Sequence, residues 1–411
     1  MKKYNKTPKL RFSGYTDDWE QRKLLSCIQS ITDFRGRTPK KLGMDWSESG
    51  YLALSALNVK DGYIDFSQDV HYGNQELYDK WMSGKELHRG QVLFTTEAPM
   101  GNVAQVPDNK GYILSQRTIA FDVEEKILSE NFLATLLRTP NVFNDLIALS
   151  SGGTAKGVSQ KSLSGLDVVI PKNIDEQNKL ADYFINLDNL ITLHQRKLEK
   201  LQNMKKSCLQ KMFPRDGATV PEIRFSEFQG DWEERTLGSC FEERLESLPD
   251  GELLSVTIGS GIKKFSELDR HDNSNTDKSK YKRVCIGDIA YNSMRMWQGA
   301  SGRSPYEGIV SPAYTVVKPI GDIDTQFFAY MFKKKEIIHL FEINSQGLTS
   351  DTWNLKYPAF SKIVVRVPRN VEEQSRIARF LLELDELISC TEQEIEITKR
   401  MKKGCLQKMF A

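Results

Sequence analysis

The sequence KKSCLQKMF at residues 205–213 returns almost unchanged as KKGCLQKMF at residues 402–410, with eight of nine letters identical at an offset of 197. Each copy ends a longer segment, 175–213 or 372–410, whose apolar positions also align at that offset. A segment repeated at this distance predicts a chain built from two similar halves.

A second repeat lies upstream of each half. The sequence PKLRF at residues 8–12 matches PEIRF at residues 221–225, at an offset of 213. Because Gly90 already aligns with Gly287 at the offset of 197, the first half carries 16 extra residues. We place them between Leu24 and Gly90, in a variable part of the first globular region.

Length and composition narrow the class of protein. A chain of 411 residues with 39% hydrophobic and 27% charged residues predicts a soluble protein of two or more domains. No apolar run approaches the roughly 18 residues of a membrane helix. The basic N-terminus has no apolar stretch behind it, so it does not read as a signal peptide, and a cytoplasmic location is expected.

Six cysteines include no CxxC pair, which favours reduced, structural thiols. The net charge of +2 does not decide for or against nucleic acid, because the position of the charge matters more. Cations crowd the end of each long segment. Two interpretations stay open: favourable placement of cations at helix C-termini, or a surface that faces nucleic acid.

Residues 24–171 and their copy predict mixed α/β regions. The first region has β-rich runs at 51–57, 91–95, 102–106, 117–123 and 166–170, with a helix at 129–138 that could continue past Pro140. The second has strands at 253–258, 284–291, 309–317 and 362–367, with a helix at 325–333. The predicted fold class is α+β (mixed α/β).

Two long helices follow these regions, because Asp175-Glu176-Gln177 and Glu372-Glu373-Gln374 place acids at a helix start. Their apolar residues recur every three and four positions, which predicts a coiled-coil seam. The seam residues are Phe184, Leu187, Ile191, Leu198, Leu201, Leu381, Leu384, Ile388 and Ile395, with His194 and Thr391 as polar positions that fix register. The seam is then expected to shift to Met204 and Met401.

A helix of this length spans roughly 58 Å and needs a partner along its apolar face. The other copy supplies one, so we predict an antiparallel coiled coil with pseudo-twofold symmetry between two similar globular regions.

No catalytic constellation is present: the sequence has no phosphate-binding loop, GxGxxG fingerprint, GxSxG elbow or histidine pair with metal spacing. We therefore expect no catalytic residues, no metal and no cofactor in this chain.

Three loops in each half, paired as 34–41 with 259–264, 95–101 with 292–299 and 151–161 with 345–353, are rich in side chains suited to DNA. Arginine, lysine and glutamine read base edges, and threonine and lysine suit phosphates. Ordinary surface turns are the alternative for any single loop. The candidates are Arg35, Arg37, Lys40, Lys41, Thr154, Lys156 and Lys161 in the first half, and Lys263, Lys264, Arg295, Trp297, Gln298, Thr349 and Thr352 in the second.

With these features in order, the chain resembles the specificity subunit of type I restriction-modification systems. The resemblance is carried by the PKLRFSGYTDDWEQRKL and PEIRFSEFQGDWEERTL openings, the SGGTAKGVSQKSLSGLDVVIP close, the EQ pairs at 176 and 373, and the KK(S/G)CLQKMF ends. The second half departs from the pattern, because Ser345-Gln-Gly-Leu-Thr-Ser lacks the Gly-Thr-x-Lys form seen at 153–156.

The resemblance implies two target recognition domains, 1–174 and 215–371, each reading half of a split double-stranded DNA sequence. It implies conserved spacer helices at 175–214 and 372–411 that set the gap. Two adenine methyltransferase (modification) subunits would dock on them, and restriction subunits would join. S-adenosylmethionine, ATP and magnesium would belong to those partners, and this chain would be non-catalytic.

Two other classes remain open at this point. One is an orphan DNA-binding module without a restriction role, and the other is a coiled-coil scaffold that bridges proteins.

Overall fold

The computed structural model describes residues 6–151, 156–215, 217–259, 261–271, 274–349 and 352–410. The chain divides into two compact units. Unit 1 combines residues 1–195 with 393–411, and unit 2 comprises residues 196–392. Each unit therefore includes part of both long helices. No helix of the described residues is long and apolar enough to cross a membrane.

Unit 1 contains nine strands and four short helices among its described residues, followed by the first long helix. The strands are β1 (Glu20–Lys23), β2 (Ile28–Asp33), β3 (Tyr51–Leu54), β4 (Tyr72–Gly73), β5 (Val92–Thr95), β6 (Val103–Gln105), β7 (Ile113–Leu114), β8 (Thr118–Val123) and β9 (Asp167–Ile170). The helices are α1 (Gln75–Met82), α2 (Glu130–Leu137), α3 (Pro140–Leu149), α4 (Gln160–Leu163) and the long α5 (Ile174–Lys211).

The main sheet of unit 1 has the order β2-β8-β5-β6, and all its pairs are antiparallel. All four residues of β5 are buried, as expected for a central strand. Strands β4, β3 and β7 form a separate sheet beside α1. This extra sheet and helix lie between Leu24 and Gly90 for most of their length, where the offset between repeats places the additional residues.

The second half continues with ten strands and five helices in its described residues. The strands are β10 (Glu233–Thr236), β11 (Phe241–Glu243), β12 (Leu254–Thr257), β13 (Gly261–Lys264), β14 (Lys282–Val284), β15 (Ile289–Asn292), β16 (Ser301–Arg303), β17 (Gly308–Val310), β18 (Tyr314–Pro319) and β19 (Val364–Val367). The helices are α6 (Leu237–Cys240), α7 (Thr325–Met331), α8 (Lys335–Ile343), α9 (Tyr357–Phe360) and the long α10 (Val371–Lys408).

Unit 2 repeats the architecture of unit 1. Its main sheet has the order β11-β18-β15-β16, which matches β2-β8-β5-β6 strand for strand. In both units the strand that precedes the long helix pairs with the strand near the start of that half, as β1 with β9 and β10 with β19. Two separate antiparallel pairs, the β12-β13 hairpin and the non-consecutive strands β14 and β17, replace the three-stranded sheet of unit 1.

The predicted elements are confirmed except at three places. The helix does not continue past Pro140: α2 ends at Leu137, and a new helix starts with proline at its first position, where its missing N–H is tolerated. The predicted strand 284–291 is two strands, β14 and β15. The predicted strand 309–317 is likewise split into β17 and β18. Each break contains turn residues, Gly287-Asp288 in the first run and Ser311-Pro312 in the second.

The Glu-Gln pair at the start of each long helix is an internal anchor. Glu176 is buried and accepts hydrogen bonds from Arg11 Nε at 2.6 Å and Nη2 at 2.8 Å, and from Trp19 Nε1 at 3.3 Å. Hydrogen bonding to this carboxylate raises the pKa of Arg11. In unit 2 the same contacts join Glu373 to Arg224 and Trp232.

The glutamine of each pair ties the helix to its sheet. The Gln177 side chain donates to the carbonyls of Ile127 and Pro171 and accepts from the backbone N–H of Ser129. Gln374 donates to the carbonyl of Pro368 and accepts from the N–H of Asp324. A buried amide with its partners in place fixes how the helix leaves the globular part.

Inside unit 1, the first part of α5 packs against the last part of α10. The Tyr183 hydroxyl lies 3.5 Å from Cys405 Sγ, and Lys402 Nζ lies 2.5 Å from Asp188 Oδ1. Because position 183 pairs with 405 and 188 with 402, these two segments run antiparallel. Inside unit 2, Lys205 makes the corresponding ion pair with Asp385. The two pairs are related by the repeat, since 385 − 188 and 402 − 205 both equal 197.

Burial along the seam is uneven. Phe184, Leu187, Leu381, Leu384 and Ile395 are buried, and the first four of these belong to the globular cores. The remaining seam residues are half-buried, namely Ile191, Leu198, Leu201 and Ile388. The polar Thr391 is buried and donates to the carbonyl of Leu387, while His194 Nδ1 lies 3.2 Å from Glu394.

The expected shift of the seam to two methionines is wrong. Met204 is 48% exposed and Met401 is 43% exposed. The next inward positions are Lys205 and Lys402, whose charges are neutralised by the aspartates described above. A lysine can bury its aliphatic stem while its ammonium group reaches a partner, so a lysine occupies the next heptad position on each helix.

The repeated KKxCLQKMF ends pack against the two globular cores. In unit 1, Phe410 packs on Trp19 at a ring distance of 6.2 Å and on Phe132 at 5.7 Å. The N–H of Leu10 donates to the carbonyl of Lys408 at 2.9 Å, which fastens the N-terminal segment to the end of α10. In unit 2, Phe213 packs on Trp232 and Phe327, and Ile223 donates to Lys211.

Candidate nucleic-acid interface

The three candidate loops of unit 1 meet at one end of its main sheet. Arg35 Nη2 donates to Thr96 Oγ1 at 3.2 Å, which joins the loop after β2 to the loop after β5. Glu97 forms a backbone bridge with Gly157, and Gln160 donates to Asp33. The sequence stretches 34–41, 95–101 and 156–161 therefore form a single surface.

The predicted cations of this surface differ in their partners. Arg37 stacks over the Phe34 ring at 4.2 Å and donates to the carbonyl of Trp81, and Lys41 donates to the carbonyl of Gly36 at 2.7 Å. Lys40 is exposed, and its ammonium group makes no hydrogen bond or ion pair within the described part of the chain. Lys40 is thus better placed than Arg37 to contact a phosphate.

On the last loop of unit 1, Lys156 and Lys161 are both exposed. Lys161 lies in α4, whose first turn is capped by Ser159. Thr154 lies outside the described residues.

A cavity of about 490 Å³ opens beside Arg37 and Lys40. Trp46 lies in its wall and packs against His71 and Trp81 at ring distances of 5.4 and 5.6 Å. Further residues of the wall, which the sequence did not indicate as candidates, include Asp69, Ala98, Gln116 and Arg117. No motif signals these residues, because the topology of the chain brings them together.

In unit 2, two of the three candidate loops meet. The Trp297 and Trp353 rings contact edge to face at 5.4 Å, and the N–H of Leu355 donates to the carbonyl of Ser293. Arg295 is exposed and Gln298 is half-buried. Thr349 and Thr352 are exposed and bonded to each other, because the Thr352 hydroxyl donates to the Thr349 carbonyl at 2.9 Å.

The third loop of unit 2 lies in a different structural position from the one the sequence indicated. We aligned Gly259–Lys264 with the loop at 34–41, and this alignment is wrong. Strands β2 and β11 are the equivalent edge strands, so the counterpart of the 34–41 loop directly follows β11. Lys263 and Lys264 belong to the later β12-β13 hairpin, where Lys264 Nζ lies 5.3 Å from the Tyr306 ring centre.

Lys333 fastens this hairpin to the main sheet. Its Nζ donates to the carbonyls of Ile258 at 3.0 Å, Gly299 at 2.6 Å and Ser301 at 2.8 Å. Burial, and after it the charge of nearby Lys205, lowers the pKa of the Lys333 ammonium group to about 8. The hairpin that presents Lys263 and Lys264 is thus held by a half-buried cation.

This cation predicts a pH-dependent stability. An unfolded lysine has a pKa of about 10.4, so between about pH 8 and pH 10 the unfolded chain binds more protons than the folded one. Stability then rises with pH across this window. We expect the unfolding free energy of the wild type to rise by roughly 1 kcal/mol relative to Lys333→Met between about pH 7.5 and 9.5. Urea unfolding at both pH values measures the difference, and a flat or falling difference contradicts it.

Within the described residues, no group of three or more histidine, cysteine, aspartate or glutamate side chains could hold a metal ion. The buried thiols of Cys27, Cys208 and Cys240 have raised pKa values because burial disfavours the thiolate. All six cysteines are free. Low-pKa thiols are the reactive ones, so these three behave as core residues.

The sequence of this chain is similar to that of known proteins. Residues 16–203 match the family described as type I restriction modification DNA specificity domain. Among curated relatives, the type I restriction enzyme MjaVIII specificity subunit of Methanocaldococcus jannaschii is 22% identical over 419 aligned residues, covering 94% of this chain and 91% of the relative. The putative type I restriction enzyme MjaX specificity subunit of the same organism is also 22% identical, with the same coverage.

A solved structure supports the fold over the whole length. The S subunit of a type I restriction-modification system from M. genitalium superposes with a TM-score of 0.63 at 16% identity, covering 98% of this chain and 99% of that one. Likeness at this identity concerns the fold alone. Residues 16–203 thus match a type I restriction modification DNA specificity domain, and the chain as a whole is similar to type I restriction enzyme specificity subunits.

Proposed function

We propose that residues 1–174 and 215–371 act as two target recognition domains, each of which reads one half of a bipartite DNA site. The observation that carries this proposal is the contrast between frame and loops. The sheet order is the same in both units, yet the side chains at the loop end of each sheet differ. One frame with two different reading surfaces suits a target whose two halves differ in sequence.

The candidate contacts fall into two kinds. Exposed side chains at the sheet ends (Arg35, Lys40, Lys156 and Lys161 in unit 1, Arg295, Thr349 and Thr352 in unit 2) are suited to phosphates and base edges. Arg37, Lys41, Lys264 and Trp297 already contact their own unit, so in this proposal they shape the surface. Gln298 is half-buried beside Trp297, and Lys263 is half-buried on the β12-β13 hairpin.

We further propose that the spacers 175–214 and 372–411 form an antiparallel coiled coil that sets the distance between the half-sites. The repeated ion pairs of Asp188 with Lys402 and of Asp385 with Lys205 support it, because the same contact recurs at the repeat offset. Repeated spacers also suit the docking of two identical modification subunits, with restriction subunits joining the complex. In this arrangement the chain is non-catalytic.

The exchange of one domain tests the proposal. Residues 24–171 are replaced by the matching region of a relative, and the product is expressed with its own modification subunit. Long-read methylation sequencing should then show a changed sequence in one half of the methylated site and an unchanged second half. A site changed in both halves contradicts the two-reader arrangement. Wild-type protein that directs no methylation at a split site would favour an orphan module or a bridging scaffold.

A further inference from the structure

The equivalent sheets of the two units allow a residue-by-residue comparison of their reading ends. In unit 1, Thr95 at the end of β5 pairs with Thr118 at the start of β8. In unit 2, Asn292 at the end of β15 pairs with Tyr314 at the start of β18. These two pairs therefore occupy the same register position.

Next to these paired residues, the two units have side chains of different chemical character. Two residues past Thr95 stands Glu97, and one residue before Thr118 stands Arg117. The same steps in unit 2 lead to Met294 and Ala313. Unit 1 thus presents an acid and a base where unit 2 presents two apolar side chains.

Glu97 and Arg117 form an exposed ion pair. Arg117 Nε lies 3.3 Å from Glu97 Oε1, and the two side chains are 55% and 46% exposed. The ion pair engages Nε, and the two terminal nitrogens of the guanidinium group make no other hydrogen bond among the described residues. The backbone beneath is firmly held, since the carbonyl of Arg117 accepts from both the N–H and the hydroxyl of Thr96.

The backbone at Arg117 argues against a purely structural role for this residue. Its φ is +65°, in the left-handed region. A non-glycine residue there costs about 1–2 kcal/mol, whereas an exposed ion pair returns at most about 1 kcal/mol. Glycine would adopt this backbone conformation at a lower free-energy cost. The backbone conformation therefore does not explain why this residue is an arginine.

Backbone strain is concentrated around the same place. Four non-glycine residues of the described chain have positive φ, and three of them, Asp69, Ala98 and Arg117, line the cavity beside Arg37 and Lys40. Strained backbone of this kind clusters at functional sites. The cavity, the ion pair and the exposed lysines therefore belong to one surface.

We infer that Glu97 and Arg117 together read a single G·C base pair in the half-site of unit 1. In the major groove, guanine offers the N7 and O6 acceptors and cytosine offers the N4 amino donor. The guanidinium group donates to the guanine, and the carboxylate accepts from the cytosine. An acid and a base held side by side match the two edges of this base pair. This inference rests on the proposed function, because it names the base contacts of that same surface.

The neighbouring residues fit this assignment. Arg35 reaches Thr96, which lies directly beside Glu97, and it supplies a cation next to the ion pair. Lys40 and Lys156 are exposed on the adjoining loops. Phosphate contacts of this kind fix register without reading sequence. In unit 2 the apolar Met294, 42% exposed, cannot make the same contacts.

The test uses the full chain purified in complex with its modification subunits. Arg117→Gly is the main variant, because glycine accepts the positive φ and the fold is retained. Arg89→Ala is the matched control, because Arg89 is an exposed arginine that precedes the opposite end of β5. Binding is measured on duplexes that carry each of the four base pairs at every position of the half-site of unit 1.

We expect the wild type and Arg89→Ala to prefer G·C at one position by roughly 5- to 150-fold, the range of a good bidentate contact. Arg117→Gly should lose this preference at that position and keep the preferences at all others. Glu97→Gln should weaken the discrimination in the same place, because an amide is a poorer acceptor for the cytosine amino group than a carboxylate.

Two results would overturn the inference while leaving the two-reader proposal intact. One is an unchanged preference in Arg117→Gly. The other is a uniform loss of affinity across all duplexes with normal thermal unfolding, which would make Arg117 a phosphate contact. Failure of the proposed function has a separate signature, since the wild-type complex would then bind no split sequence at all.

Discussion

Glu176→Ala is expected to lower the free energy of unfolding by roughly 3–5 kcal/mol, with the loss of hydrogen-exchange protection centred on unit 1. Removing one partner of a buried ion pair leaves the other charge uncompensated, and effects of this size are typical. Here the remaining groups are the Arg11 guanidinium, whose side chain is 12% exposed, and the indole N–H of Trp19. Both lose their acceptor, and the helix loses its attachment to the N-terminal segment.

The repeat supplies an internal replicate for this experiment. Glu373→Ala removes the same contacts from Arg224 and Trp232, so its loss of protection should be centred on unit 2. Glu199→Ala, an exposed glutamate of α5, is the control and should change stability by less than about 0.5 kcal/mol. Urea unfolding gives the free energies, and hydrogen-exchange mass spectrometry gives their location. Equal losses in all three variants would contradict the anchor.

The helix starts at these glutamates were predictable from the sequence, but their buried contacts were not. An acid at the first turn of a helix suits the helix dipole, and that argument placed the starts of both long helices within a residue of α5 and α10. It could not show that Glu176 is buried against Arg11, which lies 165 residues away. Periodicity and capping are local signals, whereas this contact depends on the folded chain.

The surface that we propose reads DNA was predictable to a similar depth. Glycine- and threonine-rich loops with arginine and lysine indicated the stretches at 34–41 and 156–161, and the fold brings both to the same end of the sheet. Arg117 carried no signal, because it stands at the start of a predicted strand and its left-handed backbone has no glycine or asparagine to announce it. Its partner Glu97 lies 20 residues earlier, across two other strands.

The residues predicted to form a coiled-coil seam differ in burial, for a related reason. Among the predicted seam positions, Leu187 and Leu384 are buried within the globular cores, and Ile395 is also buried. At the following step the pattern offers a methionine and then a lysine, and hydrophobicity alone favours the methionine. The structure favours the lysine, because Asp188 and Asp385 stand opposite and neutralise it. A seam position can thus be decided by a charge on the other helix.

Phe410→Ala and Phe213→Ala should each lower the free energy of unfolding by roughly 3–5 kcal/mol, the usual effect of emptying an aromatic site in a core. Both rings are nearly fully buried, and each packs against a tryptophan of the repeated opening segment. The loss therefore includes the dispersion contacts that join the helix end to that segment. Urea titration and thermal unfolding, carried out as separate experiments, measure this loss of free energy.

Met401→Ala and Met204→Ala are the matched controls, since they alter the same repeated ends at exposed positions. They should change stability by less than about 1 kcal/mol. If a methionine variant were as destabilising as its phenylalanine neighbour, the methionines would face the seam and the packing described for these ends would be wrong. If the contrast holds, the identity of the two KKxCLQKMF sequences has a structural cause. Each end must fill the same aromatic site and place the same lysine opposite an aspartate.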